Sequence, residues 1–188
     1  MATSARWLRA RHAAPLWLWG LRAGCLVAAE AAPLLGEPCN FLFWQPAAAG
    51  KVLLQQFLRL KMAAEMLDGK AAGVTNALRA QLQAGEAVDI AGYTIGPALA
   101  LGLSQAQLRP PDAATQASQS IWLETSTRVD ATLLPATQTA IAAWRSAGHD
   151  VQAAAVTGPA FWQTQEIEDA PALIAATLHA LQQSLVPA

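Results

Sequence analysis

The sequence predicts an α/β fold, a doubly wound parallel sheet carrying an inserted helical lid, and three observations predict it. Short apolar runs alternate with helix-forming stretches in the first and last thirds of the 188 residues. The first of those runs, Leu16 to Trp19 and Phe41 to Trp44, are apolar throughout, as strands buried on both faces are, instead of alternating apolar with polar. Between them, from about residue 47 to about residue 118, the composition changes to amphipathic and linker-like segments.

In chain order, Leu16-Trp17-Leu18-Trp19 reads as a central strand ended by Gly20. A helix follows over residues 23–35, where Leu26, Val27, Ala31 and Leu34 recur at helical spacing until Gly36 and Pro38 stop it. Phe41 to Trp44, closed by Pro46, is a second strand, so residues 1–46 form a strand-helix-strand part of the core with a right-handed crossover. Residues 47–118 are the insertion. Its first helix spans Val52 to Leu67, with Leu53, Phe57, Leu60, Ala64 and Leu67 on one face. Ala87 to Ile90 and Tyr93 to Ile95 flank Ala91-Gly92 as a hairpin, Pro97 to Leu103 is a short helix or turn, and Pro110-Pro111 begins a linker. Residues 119–188 return to the same core. They hold a strand at Ile121 to Leu123, a helix from Leu133 to Ala147 ended by Gly148, a strand from Val151 to Val156 and a helix from Ala170 to Leu185. Pro171 suits the first turn of that last helix, and Asp169 its cap.

Composition excludes several function classes. With 12 basic and 13 acidic residues, a net charge of -1 gives no field to gather nucleic acid. Cys25 and Cys39 are too far apart for a redox pair, and His12, His149 and His179 are scattered, so no metal and no cofactor are expected. Two cysteines fit a reducing compartment, and a cytoplasmic location is expected. Arg6, Arg9 and Arg11 ahead of an apolar run imitate a secretory signal, but Arg22 and Glu30 interrupt it. The uncharged stretch 13–21 is shorter than the roughly 20 residues a membrane span needs, so no stable insertion is expected.

Gly20-Leu21-Arg22-Ala23-Gly24, placed between a strand and a helix, has the spacing of a nucleophile elbow, the sharp turn that lifts one side chain above a sheet. The lifted residue here is Arg22. A guanidinium stays protonated and cannot attack a carbonyl, so nucleophilic catalysis at this turn is excluded. Arg22 can instead clamp a carboxylate or phosphate, or pair with a buried acid. The loop after the last strand, residues 158–166, contains no histidine to act as base. Glu124 and Asp130 fall where a triad acid would, but an acid without its histidine has nothing to orient. Cys25 is either packed or activated by its place at a helix start. Trp44, Gln45, Trp122, Trp162 and Glu166 fall at or beyond C-terminal strand ends, the edge where α/β sheets bind ligands, and either line a pocket or pack beneath the lid.

Four segments, "PLWLWGLRAG", "FLFWQP", "AGEAVDIAGYTI" and "GPAFWQTQEIEDAPALIAATL", carry a resemblance that runs from about Pro15 to Leu181. The chain resembles the exosortase A system-associated hydrolase 2 family, α/β-hydrolase-like proteins encoded beside bacterial exopolysaccharide and PEP-CTERM sorting genes. The resemblance implies the C-terminal part of an α/β-hydrolase-like fold in a Gram-negative bacterium. It also implies partners among exosortase-system proteins and a small-molecule or acyl ligand under the lid. With serine and histidine missing, a binding or accessory module is expected, the alternative being a hydrolase with a non-standard site around Arg22. Folds of this kind place about four strands before the elbow strand. A fragment or an upstream start is therefore expected, with Leu16 to Trp19 on an open, aggregation-prone edge.

Overall fold

The computed structural model describes residues 2–67, 73–111, 118–164 and 166–185. Two compact units divide the chain: residues 1–48 with 108–188, and residues 49–107. Mixed α/β architecture is plain, with a four-stranded parallel sheet and seven α-helices among the described residues.

In the first unit, β1 (Trp17–Leu21), β2 (Asn40–Trp44), β5 (Gln119–Ser126) and β6 (Asp150–Thr157) lie side by side in that order, all parallel. Strand β1 is thus an edge strand, as a four-stranded sheet implies and not the central one its apolar run alone suggests, and its Trp19 is 58% exposed. Helix α2 (Ala23–Ala31) links β1 to β2, and α6 (Pro135–Ser146) links β5 to β6. Both crossovers step across the sheet in one direction, so the right-handed rule puts α2 and α6 on the same face. On the α6 face, alternate residues of β2 and β5 form an aromatic core: Phe41, Phe43 and Trp122 pack edge-on around Trp144, with ring centroids 5.0–5.6 Å apart. Helix α7 (Pro171–Leu185) covers the opposite face, where Leu173 and Ala170 meet Leu42, Ile121 and Leu123. An N-terminal helix, α1 (Ala2–Arg9), is tied back by an Arg9–Glu37 ion pair of 2.8 Å.

Helix α2 stops at Ala31, earlier than its apolar spacing suggests, and passes into a 3-10 turn over Ala32–Leu34. Pro33 supplies no N–H and its ring crowds the carbonyl four residues back, so the α pattern cannot continue through it.

The second unit contains α3 (Gly50–Leu67), α4 (Val74–Gln83), the hairpin β3 (Val88–Ile90) and β4 (Tyr93–Ile95), and α5 (Pro97–Gln105). The hairpin turn has Ala91 at φ 50° and Gly92 at φ 84°, the left-handed pair of a type I′ turn. Leu58, Leu78, Leu82, Val88, Ile90, Ile95 and Ala100 form this unit's own core. The chain rejoins the sheet unit at Leu108, eleven residues before the boundary its composition suggests, and there Leu108 is buried and its carbonyl accepts from Trp144 Nε1 at 3.2 Å. The linker residues 112–117 lie outside the described residues. No helix among the described residues is long and apolar enough to cross a membrane.

Candidate functional site

At the C-terminal end of β1 the backbone turns sharply at Arg22, with φ 51° and ψ -110°, and α2 begins at the next residue. A non-glycine residue in the left-handed region costs on the order of 1–2 kcal/mol and persists only where its surroundings enforce it. Here they do. Arg22 N donates to Trp44 O at 3.0 Å, and Cys25 N donates to Arg22 O at 3.1 Å, fixing both sides of the residue. Of the two glycines, Gly20 is required by close approach, since a Cβ there would lie 2.5 Å from Cys25 N. A Cβ on Gly24 would meet nothing within 4 Å.

Cys25 is completely buried, and its Sγ donates to Gly20 O at 3.2 Å. Burial, outweighing its backbone hydrogen bonds and the nearby Arg22, pushes the thiol far above its ordinary range, so the helix start does not activate it. Burial also lowers the Arg22 guanidinium from its usual value, though it remains the cation of the turn.

The Arg22 guanidinium carbon lies 5.7 Å from the centroid of the Trp162 ring, within cation–π range. Trp162 sits in a 3-10 turn, Phe161–Gln163, just after β6, and its Nε1 is buried with no hydrogen-bond partner among the described residues. Thr125 Oγ1, near the end of β5, is likewise buried and unpartnered. Gln45 bridges the strand ends between them: at φ 45° its N donates to Leu123 O at 2.7 Å, and its Oε1 accepts from Thr125 N at 2.8 Å. Arg22, Gln45, Thr125 and Trp162 thus form one polar strip along the C-terminal sheet edge, a cation with unsatisfied neutral groups.

No family model, curated protein or solved structure matches this chain.

Several sequence-predicted site residues lie elsewhere. Trp122 has no exposed surface and belongs to the aromatic core, because the strand pleat turns it toward Trp144. Trp44 turns to the opposite face, where its Nε1 donates to Thr177 Oγ1 on α7 at 3.0 Å; its ring meets Trp19 and Phe161 edge-on. Glu124 is buried with both oxygens engaged by the start of α6, accepting from Leu134 N at 2.7 Å and from the Thr137 hydroxyl. Asp130 is exposed and pairs with Arg128 at 3.5 Å, and Glu166 is exposed on the surface.

The histidines assemble no triad either. His149 precedes β6, at the sheet edge opposite Arg22, where Nδ1 is 2.6 Å from Ser118 Oγ and Nε2 is 3.2 Å from Pro111 O. A carbonyl can only accept, so Nε2 is assigned the ring hydrogen and Nδ1 accepts a hydrogen bond from the Ser118 hydroxyl. His179 lies on α7, exposed, against the Gln183 amide. Thr125 is the site residue the sequence reading passed over. Its only signal was a polar side chain one position after Glu124, at the end of an apolar strand.

Proposed function

We propose that this chain is an α/β-hydrolase-like binding or accessory module, in which Arg22 anchors a carboxylate or phosphate group of a ligand at the sheet edge. The observation that carries the proposal is a protonated arginine at the apex of an elbow, held at φ 51° by hydrogen bonds on both sides. Strain kept at such a position is a mark of function, and a cation that cannot attack a carbonyl is suited to binding. The Trp162 ring lies against the guanidinium, and its Nε1 and the Thr125 Oγ1 at the end of β5 are neutral donors with no partner among the described residues. In the family the sequence resembles, the setting would be bacterial exopolysaccharide and PEP-CTERM protein sorting, which favours an acidic sugar or acyl acid as the ligand.

Titration with glucuronate, followed by tryptophan emission from the ring beside Arg22, tests the reading. Millimolar binding is expected, weakened about tenfold or more in Arg22→Ala, as loss of a charged hydrogen bond implies. Glucose, which lacks the carboxylate, should bind no better to the parent than to that variant. A p-nitrophenyl ester assay decides against the enzyme alternative: the expected rate is the uncatalysed one. Turnover abolished by Arg22→Ala or Glu166→Gln would overturn the binding-module reading.

A further inference from the structure

The second unit holds a cavity of its own, about 710 Å³, walled by facing turns of α3, α4 and α5. That is inside the range of about 300–1,000 Å³ in which small-molecule sites fall. The helix pattern builds it directly. Lys51, Leu54, Gln55 and Leu58 recur on one face of α3 at intervals of three and four; Arg79 and Leu82 do so on α4. Leu58 and Leu82 are buried and form an apolar floor, whereas Leu101 of α5 lines the cavity 59% exposed. A leucine left in water on a concave wall is what an apolar ligand would cover.

The charge of the lining is one-sided. Among the described residues, Lys51 and Arg79 are its only ionisable groups, and the other polar groups are the uncharged Gln55, Gln83 and Ser104. Among the described residues, neither cation forms a salt bridge. Two cations and no acid among the described lining residues of an apolar hollow this size select a molecule with an anionic head and a hydrocarbon body. We propose that the cavity binds a single-chain alkyl carboxylate, its chain against Leu54, Leu58, Leu82 and Leu101 and its head at Lys51 and Arg79. This second site lies in a different unit from Arg22.

Calorimetry on the full chain, with dodecanoate kept below its micelle concentration, tests the proposal. One molecule per chain is expected to bind, and decanoate, two methylenes shorter, about tenfold more weakly, following the area dependence of apolar burial. Dodecanol, matched in chain length but uncharged, should bind at least tenfold more weakly than dodecanoate. The double variant Lys51→Gln/Arg79→Gln changes two exposed side chains, so it is expected to fold, and it should lose the preference for the acid over the alcohol. Methyl resonances of Leu54, Leu58, Leu82 and Leu101 should shift on binding. Absence of dodecanoate binding at millimolar concentration, equal affinity for acid and alcohol in the parent chain, or unchanged affinity in the double variant would each overturn the proposal.

Discussion

A methyl group placed on Gly20 would lie 2.5 Å from Cys25 N, 2.6 Å from Gly24 C and 2.7 Å from Cys25 Cα. All three are main-chain atoms that cannot swing aside, so relief requires moving the first turn of α2 away from β1. Gly20→Ala is therefore expected to destabilise the chain by about 3 kcal/mol, the upper range for overpacking. Gly24→Ala meets open space inside a helix and should stabilise it by about 0.5–1 kcal/mol, the usual gain over glycine there. Urea unfolding of the two variants checks both values, and a similar loss in each would mean that the elbow is not packed as described. The motif's spacing was legible in the sequence. Which glycine it needs was not, because that depends on how closely the helix start approaches its own strand. Arg22 behaves similarly: its identity rules out nucleophilic attack from sequence alone, but its neighbour Trp162 comes from a turn 140 residues away.

At the scale of elements, apolar runs located the strands of the sheet within a few residues, and the mark is strongest in β2 and β5, whose residues are buried on both faces. Helix α4 was missed, with Leu78 and Leu82 its only buried residues, too few for a periodic signal. The acid expected after the third strand of the sheet shows a different limit. Sequence spacing offered Glu124 as a triad acid, yet it lies within β5, and α6 opens with Pro135 and has no side-chain cap from Leu134. Glu124 reaches across to supply the acceptors instead, taking Leu134 N and the buried Thr137 hydroxyl. Glu124→Ala would strand both donors and should cost about 3 kcal/mol, as losing two hydrogen bonds to a buried carboxyl group does. Glu124→Gln keeps one acceptor, and the threonine hydroxyl can rotate to accept from its amide, so about 1 kcal/mol is expected. Chemical denaturation measures the difference. Glucuronate binding should be unchanged in the glutamine variant, and its loss would return Glu124 to the ligand site.

For the whole molecule, the change of composition after Pro46 announced an insertion but could not place its end, because residues 108–111 share the polar, proline-rich character of the linker. The structure places both ends together. Leu108 N donates to Ala48 O at 2.9 Å, Ala49 and Gln107 form an antiparallel bridge, and Gly50 N donates to Ala106 O at 2.9 Å. The insertion thus leaves and returns through a paired stem, and each unit has its own apolar cluster. Such a stem can be closed by a hairpin turn: replacing residues 49–107 with Asn-Gly joins Ala48 to Leu108 through the turn that two paired strands favour. Shortening the loop that the unfolded chain must close also removes an entropic cost, though a small one. All seven tryptophans lie outside the excised segment, so tryptophan signals report on the sheet unit alone. The excised protein is expected to keep the near-UV circular dichroism of the Phe41, Phe43, Trp122 and Trp144 cluster and to unfold in one cooperative step. If that signal collapses on excision, the insertion is part of what holds the sheet together, and the two units do not fold independently.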